Sequence, residues 1–260
     1  MANGLLNNLI GYWGLDEAAG ANNATDKHSG GLTLTQYNSP ASDTGKVYAT
    51  ARTANGATNN RHFRRASETA TQTGDVDFTL GAWVYPAVTN VSQVVVCKLG
   101  DLSEYIMYYD SAVSRWKFGV SVNGSDVYEV TASNFGAPSA NAWYSVVGWH
   151  DSVNNLLGVS INNGTANTTA HTTGVYVSTN PFVVASGWDG ANTFWQLNGR
   201  IGPVAMWKSA GGGGGVLTSD QRTALYNAGN GLAYASLDNG SDVIPALLRP
   251  RRHFIIDSWR

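Results

Sequence analysis

The stretch Gly199-Arg200-Ile201-Gly202-Pro203-Val204-Ala205-Met206-Trp207, with the Thr218-Ser219-Asp220-Gln221 that follows it, decides how this chain folds. The first run reads as a strand, and another strand-like segment begins upstream at Phe182. Thr218 stands three residues before Gln221, the spacing at which a hydroxyl and a carboxamide cap each other's backbone N–H groups at a helix start. Ala224, Leu225 and Ala228 then draw one apolar stripe, and Gly229 offers a stop. A lone capped helix that closes a strand-patterned chain packs over a sheet, so this segment speaks to architecture before function.

Working outward, strand-like segments recur at 78–85, 91–98, 116–122, 126–130, 143–149 and 156–161, separated by turn residues. That rhythm is the pattern of an antiparallel sandwich or barrel. Trp116, Phe118, Val120 and Val122 alternate with smaller or polar residues and predict one buried face. Asn123-Gly124 predicts a two-residue hairpin. The pattern holds to Tyr234, so residues 1–234 read as one domain and 235–260 as a tail.

With 260 residues, 43% of them hydrophobic, the chain buries a good core in a single large β domain. Only 13% of residues are charged, so its surface is largely neutral and polar. A net charge of -2 gives no general field for nucleic acid. No apolar run is long enough to span a bilayer, and the first ten residues lack the basic and apolar regions of a secretory signal. Cys97 is the single cysteine, which excludes an intrachain disulfide, a CxxC pair and a cysteine zinc cluster. Its setting, Val94-Val95-Val96-Cys97, reads as a buried strand.

Catalytic patterns are missing, and no residue is assigned a catalytic role. His28, His62, His150, His171 and His253 are scattered and read as exposed loop residues. A retaining glycosidase needs two carboxylates about 5 Å apart, yet none of Glu17, Glu68, Glu104 and Glu129 begins a Glu-x-Asp-x-(x)-Glu run. No Gly-x-Ser-x-Gly elbow occurs. The five glycines at 211–215 lack a following Lys-Ser or Lys-Thr and read as a connector, not a phosphate cradle.

Leu9-Ile10-Gly11-Tyr12-Trp13-Gly14-Leu15-Asp16-Glu17, the turn Asp26-Lys27-His28-Ser29-Gly30-Gly31, Phe78-Thr79-Leu80-Gly81-Ala82-Trp83-Val84-Tyr85-Pro86 and Trp143-Tyr144-Ser145-Val146-Val147 occur in that order. Together they resemble the laminin-G-like or concanavalin-A-like jelly-roll family over roughly residues 9–232. The resemblance implies an all-β, two-sheet antiparallel jelly-roll sandwich with one short C-terminal helix. The family includes lectins, glucanases, adhesion modules and structural parts of viruses, so fold alone does not assign a role. Many relatives carry calcium-binding acidic residues where this chain has Gly202-Pro203. That departure leaves calcium a minor expectation, with Asp16 and Asp26 as weak candidate ligands, and no cofactor is required.

Sugars present apolar C–H faces and hydroxyl rims, which a flat ring and nearby carboxylates or amides can engage. The loop Gly187-Trp188-Asp189-Gly190-Ala191-Asn192-Thr193-Phe194-Trp195 holds both, and Trp188, Asp189, Asn192 and Trp195 form the candidate glycan patch. The alternative is that one or both indoles plug the end of the sandwich. Asp101, Glu104, Tyr105, Tyr108 and Tyr109 make a second patch, in which the tyrosines also read as core. In the tail, Arg249, Arg251, Arg252, Phe254 and Trp259 read as a docking segment for the chain itself or a partner subunit, which leaves a homo-oligomer open. The expectation is a non-enzymatic recognition or decoration module on a virion surface or another extracellular surface, binding glycans or other surface proteins. No nucleic acid and no membrane insertion are expected. A secreted or cell-surface carbohydrate-binding module is the alternative, and a jelly-roll glycosidase the third reading.

Overall fold

The segment that decides the fold becomes one long strand around which the other elements are arranged. In the computed structural model, which describes residues 3–20, 22–29, 31–211 and 213–237, the chain enters through β1 (Leu9–Trp13). Three short strands follow, β2 (Thr35–Tyr37), β3 (Ala41–Thr44) and β4 (Thr50–Asn55). A single helical turn, α1 (Gly56–Asn59), leads into β5 (His62–Arg65). Next come β6 (Phe78–Pro86), β7 (Gln93–Lys98), β8 (Tyr105–Asp110), β9 (Arg115–Ser121) and β10 (Val127–Thr131). They are followed by β11 (Tyr144–Asp151), β12 (Leu156–Ile161), β13 (Asn167–Ala170) and β14 (Phe182–Val184). A small hairpin of β15 (Gly187–Trp188) and β16 (Thr193–Phe194) precedes β17 (Asn198–Lys208) and the helix α2 (Ser219–Tyr226).

Among the described residues, one sheet runs β13-β12-β11-β6-β17-β4-β3, with β1 added along β17. The other runs β10-β9-β8-β7-β14-β5-β2. The pairings are antiparallel, and the fold is the expected concanavalin A-like jelly-roll sandwich. Gly202-Pro203 lies in the middle of β17, where its register against β6 shifts by a bulge between Ile201 and Val204. On its other edge β17 pairs with β4 at Asn198 to Ile201 and with β1 at Val204 to Trp207. Proline cannot donate a ladder hydrogen bond, and here it stands where the neighbouring strand changes.

The space between the sheets is filled by Trp13, Phe63, Phe78, Trp116, Phe118, Phe182 and Met206 among others. Strand alternation sets the faces: on β8, Tyr105, Met107 and Tyr109 enter this core, whereas Ile106 and Tyr108 point to the outer face of their sheet. Trp116, Phe118 and Val120 share the buried face as expected. The Asn123-Gly124 turn is longer than two residues, because Ser121 pairs with Val127 and the Asn123 carboxamide oxygen accepts from the N–H groups of Ser125 (2.9 Å) and Asp126 (2.8 Å).

A second cluster covers the outer face of the first sheet: Leu5, Leu9, Tyr12, Ala205, Trp207, Leu217, Leu225 and Leu237. The helix docks there through Leu225 and carries the expected capping box between Thr218 and Gln221. Its end differs from expectation: Asn227, in the left-handed region at φ 49°, stops it two residues before Gly229. Leu237 is fully buried in this cluster, so packing reaches three residues past the expected boundary at 234. The tail candidates Arg249, Arg251, Arg252, Phe254 and Trp259 lie outside the described residues. Among the described residues no helix is long and apolar enough to cross a membrane.

The histidines depart most from expectation, since His62, His150 and His171 are 4%, 1% and 3% exposed. His62 and His150 sit on strands, where alternation turns their rings inward or under neighbouring loops, and His150 Nδ1 donates to the Val76 carbonyl at 2.9 Å. Burial holds both imidazoles below the ordinary histidine value of 6.5. Below that value the unfolded chain binds protons that the native state refuses. The stability these two groups contribute is present above pH 6.5 and is lost as pH falls through their native values. Urea midpoints are expected to drop between about pH 7 and about pH 5, and His150→Gln to flatten that slope. A slope unchanged by the substitution would assign the effect elsewhere.

Candidate functional site

The hairpin β15–β16 lies against the outer face of the second sheet. Trp188 and Phe194 pack there on Val94, Cys97, Leu99, Ile106, Tyr108 and Val183. Gly187 permits the close fold-back, because a Cβ at that position would stand 2.5 Å from the Phe194 ring. At the tip, Gly190 adopts φ 98° and the Asp189 carboxylate accepts from the N–H groups of Ala191 (2.9 Å) and Asn192 (2.5 Å). Those backbone donors hold the Asp189 carboxyl below its ordinary range. Beneath the hairpin, Cys97 donates to the Ser186 carbonyl at 3.3 Å, and burial pushes its thiol up to about 12, as befits an inert core residue.

Strand β5 pairs with both β14 and β2, which brings residues from the start of the chain beside the hairpin. Between them opens a cleft of about 390 Å³, lined by Tyr37, Asn38, Asn60, His62, Arg64, Trp188, Ala191, Asn192, Thr193 and Gln196. Four of these side chains form a ladder. The His62 and Tyr37 rings stack at 4.7 Å and 3°, and the Arg64 guanidinium lies 4.4 Å from the Tyr37 ring and 4.3 Å from that of Trp188. Arg64 Nη2 also donates to the Tyr37 hydroxyl at 2.8 Å. Around the ladder stands a rim of amides and hydroxyls. Asn38 donates to the Asn60 carbonyl at 3.0 Å, Gln196 donates to Thr193 Oγ1 at 2.9 Å, and the Thr193 hydroxyl donates to the Asn60 carboxamide oxygen. No lining residue is an aspartate or glutamate.

Of the four expected patch residues, Trp188 and Asn192 line this cleft, and Asp189 stands beside them at the exposed tip with its carboxylate turned to its own backbone. Trp195 lies elsewhere. Strand β16 ends at Phe194, and Trp195 adopts φ 44°, so strand alternation does not carry through to it. Its ring is 46% exposed and stacks on Tyr108 at 5.6 Å and 14°. It lines a second cleft of about 530 Å³ with Asn90, Ser92, Ser111 and Asn198. The two indoles therefore serve opposite sides of one hairpin, and Gln196 lines both clefts.

The second expected patch dissolves into structural parts. Tyr105 and Tyr109 are core residues, Tyr108 supports Trp195, and Glu104 is a fully buried ion-pair partner of Lys98 at 3.0 Å. Asp101 is left exposed in its loop. Both candidate calcium ligands already have partners within the chain. Asp26 accepts from the N–H groups of Tyr12 (3.0 Å), His28 (2.9 Å) and Ser29 (3.2 Å) and from the Ser29 hydroxyl (2.5 Å), while Asp16 pairs with Lys27 at 3.0 Å. Among the described residues no three His, Cys, Asp or Glu side chains converge as a metal cage.

Tyr37, Asn60, His62 and Arg64 are absent from the expected patch. The available signal was the basic run Arg61-His62-Phe63-Arg64-Arg65, dense for a chain with 16 Lys and Arg in all. With Phe63 in the core, alternation places His62 and Arg64 on the outer face.

By sequence, no curated protein matches the chain. Solved structures share its fold at low identity. Domain 4 of AbnA, a GH43 extracellular arabinanase from Geobacillus stearothermophilus, in complex with arabinotriose, is similar at TM-score 0.59 and 14% identity, over 83% of this chain and 97% of that one. The receptor binding domain of botulinum neurotoxin D is similar at 0.62 and 9%, over 86% of this chain and 54% of that one. The binding domain of Paraclostridial Mosquitocidal Protein 1 gives 0.57 and 12%, over 78% and 48%. The chain thus spans about half the length of these toxin binding domains. Residues 58–212, more than half of the chain, match the family model described as the concanavalin A-like lectin/glucanases superfamily. With that match and its two-sheet topology, the chain belongs to the concanavalin A-like lectin/glucanase superfamily.

Proposed function

We propose that this chain is a non-enzymatic glycan-binding module that acts at an extracellular surface. The observation that carries the reading is the cleft beside the hairpin: about 390 Å³ lined by amides, hydroxyls and aromatic rings, with no carboxylate to serve as general acid or nucleophile. The four glutamates are engaged in structural contacts, Glu17 with the Thr25 N–H, Glu68 with Arg65, Glu104 with Lys98 and Glu129 with Lys117. The arabinanase domain solved with arabinotriose lends support, as does the binding domain of botulinum neurotoxin DC in complex with SialylT. Trp195 and the second cleft, across the hairpin, offer a separate contact for a longer chain of sugars. The finer placement, on a virion surface, rests on composition and resemblance, and gene neighbours encoding capsid or tail proteins are the check on it.

A glycan array tests the module directly. The wild type is expected to retain at least one oligosaccharide, unchanged by a metal chelator. Asn192→Ala, at an exposed site, is expected to weaken it about two- to tenfold, the worth of one hydrogen bond, and Trp188→Ala to weaken it further. Wild-type protein that retains no glycan would remove the reading.

A further inference from the structure

We infer that the cleft selects acidic sugars and that the Arg64 guanidinium reads their carboxylate or sulfate group; this rests on the glycan-binding reading above. The first support is the fate of the cations in the run 61–65. Arg65 pairs with Glu68, and Arg61 donates from Nε to the Asn38 carbonyl at 3.3 Å at the exposed edge. Arg64 has no carboxylate partner among the described residues, although it lies half-buried in the wall of the cleft.

The second support is geometric. With Tyr37 at 4.4 Å and Trp188 at 4.3 Å, aromatic rings engage the guanidinium, and its Nη2 contact with Tyr37 Oη (2.8 Å) uses one of five N–H donors. What remains for a ligand is the N–H edge, whose planar fork matches the two oxygens of a carboxylate or sulfate. A neutral sugar would need only the amides and hydroxyls already on the rim. The stack also holds the fork in place before the ligand arrives, which lowers the entropy lost on binding.

The third support is His62. It lines the cleft, and its Nδ1 is 3.0 Å from the Asn60 carbonyl, which can only accept, so Nδ1 carries the proton. Nε2 is then an acceptor, buried and without a partner among the described residues. A fork for an anion beside a buried, unpartnered acceptor and a rim of amides describes a ligand that carries both an acid group and hydroxyls.

The test uses matched probes: a uronic-acid oligosaccharide with its carboxyl-reduced form, and a sulfated oligosaccharide with its desulfated form. Titration of the full chain is expected to favour at least one acidic member over its neutral partner by about ten- to a hundredfold, the range for a hydrogen bond to a charged group. The preference is expected to shrink as salt rises. Arg64→Gln should erase the preference, so that acidic and neutral members bind alike whatever the variant's residual affinity, and Arg64→Lys should keep part of it. The two acid arms tell a carboxylate from a sulfate ester. Equal binding of acidic and neutral members, or a preference that survives Arg64→Gln in a folded variant, overturns the inference and leaves the glycan reading standing. Wild-type protein that binds no probe here and no glycan on the array overturns both.

Discussion

Glu104→Ala is expected to lower the unfolding free energy by about 3–5 kcal/mol, the range for breaking a buried ion pair by removing one partner. The side chains of Glu104 and Lys98 are both fully buried and meet at 3.0 Å. Glu104 also accepts from the Thr73 hydroxyl (2.9 Å), the Thr73 N–H and the Ser178 N–H (3.0 Å), and Lys98 donates to the Ser67 hydroxyl (3.0 Å) and the Ser178 carbonyl. One carboxylate thereby ties two loops to the edge of β8. Without it, the Lys98 ammonium, already held below its ordinary value by burial, keeps its desolvation and loses its counter-charge. The paired change Lys98→Met with Glu104→Leu is expected to recover most of the loss, because it removes both charges together. Urea unfolding checks both variants, and a loss for Glu104→Ala under about 1 kcal/mol would place the pair among solvated ion pairs.

Trp207→Ala is expected to cost about 3–5 kcal/mol, as for other large buried aromatics. Its ring is fully buried on the outer face of the first sheet, and Nε1 donates to the Leu5 carbonyl at 2.7 Å. That one side chain joins the start of the chain, β17 and, through Leu217 and Leu225, the approach to α2 and the helix itself. Hydrogen exchange should show α2 and residues 5–9 opening before the strands of the main core. The cleft lies on the other sheet, so glycan binding at a temperature where the variant stays folded is expected to match wild type. Uniform loss of protection across both sheets would show instead that the two clusters unfold as one.

The long strand and the capped helix were legible because each depends on residues close in sequence: alternation along Val204 to Trp207, and the three-residue spacing from Thr218 to Gln221. The glycan cleft was half legible for the same reason. Trp188 and Asn192 share one loop, but Tyr37, His62 and Arg64 reach them only through the pairing of β5 with β14 and β2, more than 120 residues away in the chain. Trp195 was misplaced because grouping it with Trp188 took no account of the left-handed backbone that turns its ring to the other side. The histidines were misread because scattered positions say nothing about burial, which strand register decides.

The division of the β17 edge between β4 and β1 has a bearing on self-association. Each short partner pairs with only four of the strand's eleven residues, and the four held by β1 are Val204-Ala205-Met206-Trp207. If β1 were to peel away, four consecutive apolar residues would present unpaired N–H and C=O groups beside the bulge at Gly202-Pro203. Such a bared rim is a template for the strand of another molecule, so the attachment of the first strand guards this sandwich against templated aggregation as well as against unfolding.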